Sequence, residues 1–231
     1  MRNIIIAAII LCVAFCSCKK INGNGDVTTE TKNIDEFFQE VVNNTQFDVE
    51  VIFANENKVV ITAESNISQC LSVKVKNKRL TIKKDKSKYR LKNTEPVTIT
   101  VYMQDKDYLY FSNYGSGDLT INSPLSKEIV YDNNGSGDIF AFNTENEAVE
   151  VKNSGSGDIV VEGVAGEVKI TSSGSGDVDC YNLTAQYVEI HSSGSGKVEA
   201  YATDAIDIWR TGSGEVFTYG TERVRNHYVE E

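Results

Sequence analysis

The chain has 231 residues, 40% of them hydrophobic and 24% charged, so most of it has the composition of a folded protein with a sizeable core. A net charge of −10 excludes a nucleic-acid grip through phosphate, and no nucleic-acid partner is expected. Two His and five Cys, three of the latter within the first 18 residues, exclude a zinc centre and a disulfide-stapled scaffold. Val and Ile number 45 against 8 Leu, a bias toward pleated backbone that points to an all-β protein.

The chain opens on Met1-Arg2-Asn3 and an apolar run over 4–15, too short to span a bilayer permanently. The run ends in Cys16-Ser17-Cys18-Lys19-Lys20. This pattern resembles a bacterial lipoprotein signal. Residues 1–17 are then the signal peptide and Cys18 the acylated residue, since Ser17 supplies the small side chain before it and Phe15 before Cys16 does not. The resemblance implies a membrane partner through the lipid anchor, at the outer membrane, facing the periplasm or the surface. An ordinary secretory signal is the competing reading. Residues 18–31, rich in Gly, Asn and Thr, read as the lipidated Cys and a flexible tether, with Lys19 and Lys20 near anionic headgroups.

Residues 32–104 form the N-terminal β-rich part of the domain. Short alternating runs at 48–53, 58–63, 71–76, 79–83 and 97–103 predict strands, with Asn77-Lys78 at a tight turn. Ile34, Phe37, Phe38, Val41 and Val42 have helical spacing, so a short helix competes with a strand there. An initial helix or hairpin would cap an otherwise open β edge. The stretch 83–92 carries six basic residues and one Asp. A solvated loop is the plain reading, and contact with an anionic polymer or lipid headgroups the functional one.

From 105 to 231 the sequence repeats. Gly-Ser-Gly begins at 115, 135, 155, 174, 194 and 212, a period of about 20 that signals a solenoid. Aligned on these glycines, Leu119, Ile139, Ile159, Val178, Val198 and Val216 form one column and Phe111, Tyr131, Val151, Ile170, Ile190 and Ile208 another. Apolar partners two residues away share a strand face with each column. One repeat cannot bury that face alone; stacked repeats can. The expected fold is a right-handed parallel β-helix with coils of about 20 residues, the N-terminal strands capping or extending the stack. Cys180 falls in an inward column and reads as a buried small residue. Glu150, Lys169, Glu189, Asp207 and Arg225 form an outward column of mostly alternating charge. Asn113, Asn133, Asn153, Ser172 and Ser192 precede each corner and suit a buried ladder.

Gly23-Asn24-Gly25 with Asp26-Val27, the strands at 47–53, 58–63, 71–82 and 97–103, and the repeated Gly-Ser-Gly-Asp together resemble the auto-transporter adhesin head GIN domain family. These are secreted bacterial proteins, often lipoproteins of the Bacteroides group. The resemblance implies a right-handed β-helix and an adhesion role, and it supplies no catalytic residues.

Three constellations invite chemistry. Asp118, Asp138, Asp158 and Asp177 stack, which suits turn capping or, as calcium-binding solenoids do, cation bridging; the column ends in Lys197. Tyr181, Tyr201 and Tyr219 form an outward aromatic column that could stack on a sugar or a partner protein, or on itself. His191 and His227 show no partner pattern. The expectation is a non-enzymatic envelope lipoprotein binding a glycan or a cell-surface protein. A polysaccharide-active β-helix enzyme and a purely structural envelope component are the alternatives.

Overall fold

The computed structural model describes residues 19–85, 89–104 and 106–228. Cys18 and the signal segment lie outside the described residues, as does the 86–88 part of the basic stretch. Among the described residues the regular structure is all strand except one helical turn, Ser65–Ser68. The helical spacing around Phe37 yields no helix; the chain is irregular to Gln39 and then a strand, Glu40–Asn44.

Each coil of the repeat has three faces. Face 1 follows the Gly-Ser-Gly corner, at Leu119–Asn122 and, in the next coils, 139–142, 159–161, 178–180 and 198–201, ending at Val216–Gly220. Face 3 precedes the corner, from Tyr108–Asn113 through 128–133, 148–153, 167–172, 187–192 and 205–210 to Val224–Tyr228. Face 2 is a short connection such as 144–146, which pairs with 163–165. Every ladder through the repeat is parallel, and Leu119, Ile139, Ile159, Val178, Val198 and Val216 lie one above another. The molecule is a β-solenoid. Its core is one continuous apolar cluster from Phe38 to Ile208. Each fully buried Val, Leu or Ile contributes about 1.5–3 kcal/mol.

Uneven coil lengths are absorbed mostly between faces 1 and 2, and once between faces 2 and 3, at Ala185/Tyr187. Register shifts fall between Ala141 and Thr144, Val160 and Gly163, and Cys180 and Thr184. The last of these moves Tyr201 onto Thr184 rather than Tyr181. Cys180 is buried, and burial pushes its thiol well above the ordinary value, which leaves it unreactive. The last coil replaces inward Ile208 with exposed Asn226, a polar finish to the stack.

The stack does not begin at the first Gly-Ser-Gly. Glu40–Asn44 pairs in parallel with face 3 and Val49–Phe53 with face 1, so 40–53 is a further coil. Its corner is Thr45-Gln46-Phe47-Asp48. Beneath it lies a coil that comes later in sequence: Arg79–Lys84 under face 3 and Thr98–Met103 under face 1. Antiparallel strands close this end, Val27–Asn33 on Lys58–Glu64 on Thr98–Met103, and Leu71–Lys76 on Arg79–Lys84. The turn between the last two is the expected Asn77-Lys78, both at positive φ.

The flexible tether expected over 18–31 is corrected here. Lys19–Asn22 pairs with Tyr89–Lys92, and Val27–Asn33 is the outermost cap strand. The glycines between them wrap a carboxylate. Glu64 is fully buried and accepts from the backbone N–H of Gly25 at 2.7 Å, the N–H of Thr94 at 2.8 Å and the hydroxyl of Thr94 at 2.6 Å. A Cβ on Gly23 would lie 1.9 Å from its Oε2, so only glycine fits. The Thr94 hydroxyl, followed by the backbone donors, holds the Glu64 carboxyl at about 2, against the cost of burial. Because its folded value is depressed, the stabilisation is complete above pH 4.5 and is lost as pH falls from there toward 2. Glu64→Gln should lower Tm by several degrees at pH 7, since an amide N–H₂ would face backbone donors. The gap between variant and wild type should narrow by more than half as the pH of the melt is lowered to 3; a constant gap would refute this account.

Candidate functional site

The column seven residues before the first glycine of each of the first five Gly-Ser-Gly corners reads Tyr108, Glu128, Ala148, Glu167 and Tyr187, and Ala205 follows in the sixth coil. These positions stack in register on face 3. The small Ala148 at the centre leaves a groove of about 330 Å³. Half-buried tyrosines stand at its two ends, four coils apart, or about 19 Å at the usual strand spacing. Glu128, Glu150, Glu167 and Glu189 line it with one cation, Lys169. Lys169 Nζ lies 2.8 Å from Glu189 Oε1, which pulls that carboxylate down from its ordinary value and raises the lysine. Carboxylate acceptors between two aromatic walls suit a polyhydroxylated ligand: the walls take the apolar ring faces and the carboxylates take hydroxyl donors.

The C-terminal end of face 3 holds a polar network. The Tyr187 hydroxyl donates to the Asp207 carboxylate, which also meets Arg225 Nη2 at 2.6 Å and His227 Nε2 at 3.0 Å. These partners, the Tyr187 hydroxyl foremost, hold Asp207 at about 2, and Tyr187 is pushed up to about 12. His191 and His227, which show no partner pattern in the sequence, have partners in the fold. Trp209 lies between the two imidazoles, with ring centroids 4.7 and 4.3 Å away and planes within 6°. The signal was present: His191 and Trp209 both sit three residues before a corner, and His227 continues their column.

The Asp column is a chain of caps. Asp118 Oδ1 accepts the N–H of Asp138 at 2.8 Å, Asp138 that of Asp158 at 2.8 Å, Asp158 that of Asp177 at 2.8 Å, and Asp177 that of Lys197 at 2.7 Å. Asp48 begins the series by accepting from Asp118 at 2.9 Å. A lysine ends it because ammonium cannot accept the next amide. Each of Asp118, Asp138, Asp158 and Asp177, the calcium candidates, thus caps the amide of the next coil with Oδ1, and among the described residues no three His, Cys, Asp or Glu side chains converge. Burial raises the Asp118 carboxyl, with the charges of Asp138 and Asp48 adding to it and the Asp138 N–H opposing.

Tyr181, Tyr201 and Tyr219 do not form the expected regular column. Tyr201 is displaced by the register shift, and Tyr181 meets Tyr219 edge to face at 4.8 Å between centroids. The Tyr219 hydroxyl also donates to Glu199 Oε1 at 3.4 Å.

A family model described as "Putative auto-transporter adhesin, head GIN domain" matches residues 37–221. The chain belongs to the head GIN domain family. Solved structures share the fold of this head GIN protein. One described as a putative adhesin from Bacteroides fragilis has a TM-score of 0.74 at 23% identity, covering 90% of this chain and 100% of that one. One described as a putative lipid binding protein from Parabacteroides distasonis has a TM-score of 0.70 at 22% identity, with 91% and 96% covered. A third, described as a putative adhesin from Parabacteroides merdae, has a TM-score of 0.65 at 16% identity, with 91% and 96% covered. No curated protein matches the chain.

Proposed function

We propose that this head GIN protein is a lipid-anchored adhesin module of the outer membrane, acylated at Cys18, that holds a glycan in the face 3 groove without altering it. The observation that carries the reading is the groove itself: Tyr108 and Tyr187 bracket Ala148 within a wall of glutamates. Its length suits an oligosaccharide rather than a single sugar, and its register-locked strands need no rearrangement to receive one. Family membership supports the adhesive role, and the small residue before Cys18 supports acylation there.

A glycan array should give selective binding with no release of reducing ends. The Tyr108→Ala/Tyr187→Ala variant should bind about tenfold more weakly or worse, since each stacked aromatic contributes about 0.5–1.5 kcal/mol. Tyr181→Ala/Tyr219→Ala, which leaves the groove intact, should stay within about twofold. Reducing-end release, or equal loss in both variants, would sink the groove assignment. Fatty-acid labelling should mark wild type and Cys16→Ser but not Cys18→Ser.

A further inference from the structure

The cations of this acidic chain are unevenly placed. Residues 65–92 hold ten Lys and Arg against one acid, which leaves 13 bases against 32 acids elsewhere. In the fold its described strands form the face 3 side of the cap, Leu71–Lys76 on Arg79–Lys84, with Tyr89–Lys92 beside the first corner, while Val27–Asn33 and Lys58–Glu64 form the other side. Lys74 and Lys76 project from the outermost strand of face 3, and Arg79 and Lys83 from its antiparallel neighbour. Lys20, Arg90 and Lys92 project from the two-stranded ladder beside the first corner.

These charges are not neutralised within the molecule. Lys76 lies opposite Arg79, and Lys20 opposite Arg90, placements that cost stability through like-charge repulsion. Among the described residues, Lys20, Lys74, Lys76, Lys83, Arg90 and Lys92 have no carboxylate within 4.0 Å; Arg79 alone has one, Glu40. Along the shaft, by contrast, Lys152, Lys169, Lys197, Arg223 and Arg225 each have a carboxylate within 3.0 Å. At the same end Phe37 is 46% exposed, with Lys78 Nζ 5.6 Å and Lys106 Nζ 5.4 Å from its ring centre. An exposed aromatic ring beside two ammonium groups, though it follows the exposed acids Asp35 and Glu36, suits a side chain that enters a bilayer interface while the ammonium groups meet headgroups.

We propose that the cap end is a docking base for an anionic phospholipid surface, so that the solenoid stands with its acidic shaft directed away from the bilayer. This rests on the proposed anchor only for proximity. Lys19, the residue after Cys18, begins the strand on Tyr89–Lys92, so the chain enters at the basic end. The pairing of that strand, with Glu64 clasping Gly25, fixes the entry point against the cap rather than on a loose leash. Each Lys or Arg near such a surface strengthens attachment about fivefold, and salt screens the effect.

The test is lysine acetylation footprinting of the full-length, natively processed protein. It is reconstituted in phosphatidylcholine vesicles or in phosphatidylcholine–phosphatidylglycerol vesicles. Lys74, Lys76 and Lys83 should acetylate several-fold more slowly in the anionic vesicles, and high salt should remove the protection. Lys127, Lys152 and Lys169 should be unchanged. Equal reactivity of the cap lysines in both vesicles would overturn the proposal, as would stronger protection by a soluble anionic polysaccharide than by phosphatidylglycerol. Release from vesicles by alkaline wash would separately overturn the anchor; the footprint, repeated with anionic vesicles in excess, still reads docking.

Discussion

Gly137→Ala should destabilise the protein by about 3 kcal/mol or more, lowering Tm by roughly 6–12 °C, because a Cβ there has nowhere to go. It would lie 2.2 Å from the carbonyl oxygen of Gly117, 2.6 Å from that residue's carbonyl carbon and 2.8 Å from the carbonyl carbon of Ser116. All three belong to the backbone of the coil beneath, and that coil is held in register on both faces by parallel ladders. Relief therefore requires two coils to separate, which breaks ladder hydrogen bonds and opens the aliphatic columns together. Gly25→Ala is the contrast. Its φ is +75° but its Cβ would meet nothing within 4 Å, so it should cost only about 1 kcal/mol. Paired thermal melts of the two variants decide the matter; similar losses would show that backbone conformation, not contact between coils, makes the corners glycine.

The same argument explains what could be read from the sequence. Where one coil sits squarely on another, Cβ atoms are excluded at the corner and glycine recurs, so six corners and their aliphatic columns were legible from spacing alone. The first corner has no Gly-Ser-Gly corner beneath it: the coil below passes from Arg79–Lys84 to Thr98–Met103 by a longer connection, and Gln46 Nε2 donates to the Leu91 carbonyl at 3.0 Å. Thr45 and Phe47, both buried, occupy the two glycine positions. The motif vanishes where its physical cause does, which hid both the extra coil and the out-of-order coil below it. The face 3 groove was hidden differently. Its Tyr, Glu, Ala, Glu, Tyr column keeps register but not chemistry, and a binding surface built on a repeat consists of such departures. The Asp caps were legible because each coil imposes the same requirement on the next amide.

Asn133→Ala should cost about 2–4 kcal/mol, and Ser172→Asn should return about 1 kcal/mol. Asn133 is fully buried. Its Nδ2 donates to the Gly137 carbonyl at 2.9 Å and its Oδ1 accepts the Gly135 N–H at 3.2 Å, so it spans the corner from inside. Asn113 and Asn153 repeat both bonds. Alanine would leave a buried carbonyl and a buried N–H unpaired, and unmade bonds cost more than made ones contribute. In the next two coils the ladder switches to serine, whose shorter side chain cannot span the corner; the Ser172 and Ser192 hydroxyls are buried without a partner among the described residues. The coils below show where the longer side chain would lie. The Asn133 and Asn153 amides lie about 3 Å from a Cβ built on Gly157 or Gly176, whereas over Gly196 only backbone comes that close. Asparagine at 172 can therefore reach the Gly176 carbonyl as Asn153 reaches that of Gly157. Chemical denaturation should give unchanged m-values with a lower midpoint for Asn133→Ala and a higher one for Ser172→Asn. If Ser172→Asn instead destabilises, the serine coils are packed too tightly for the amide, and the switch from Asn to Ser is a matter of volume rather than a forgone hydrogen bond.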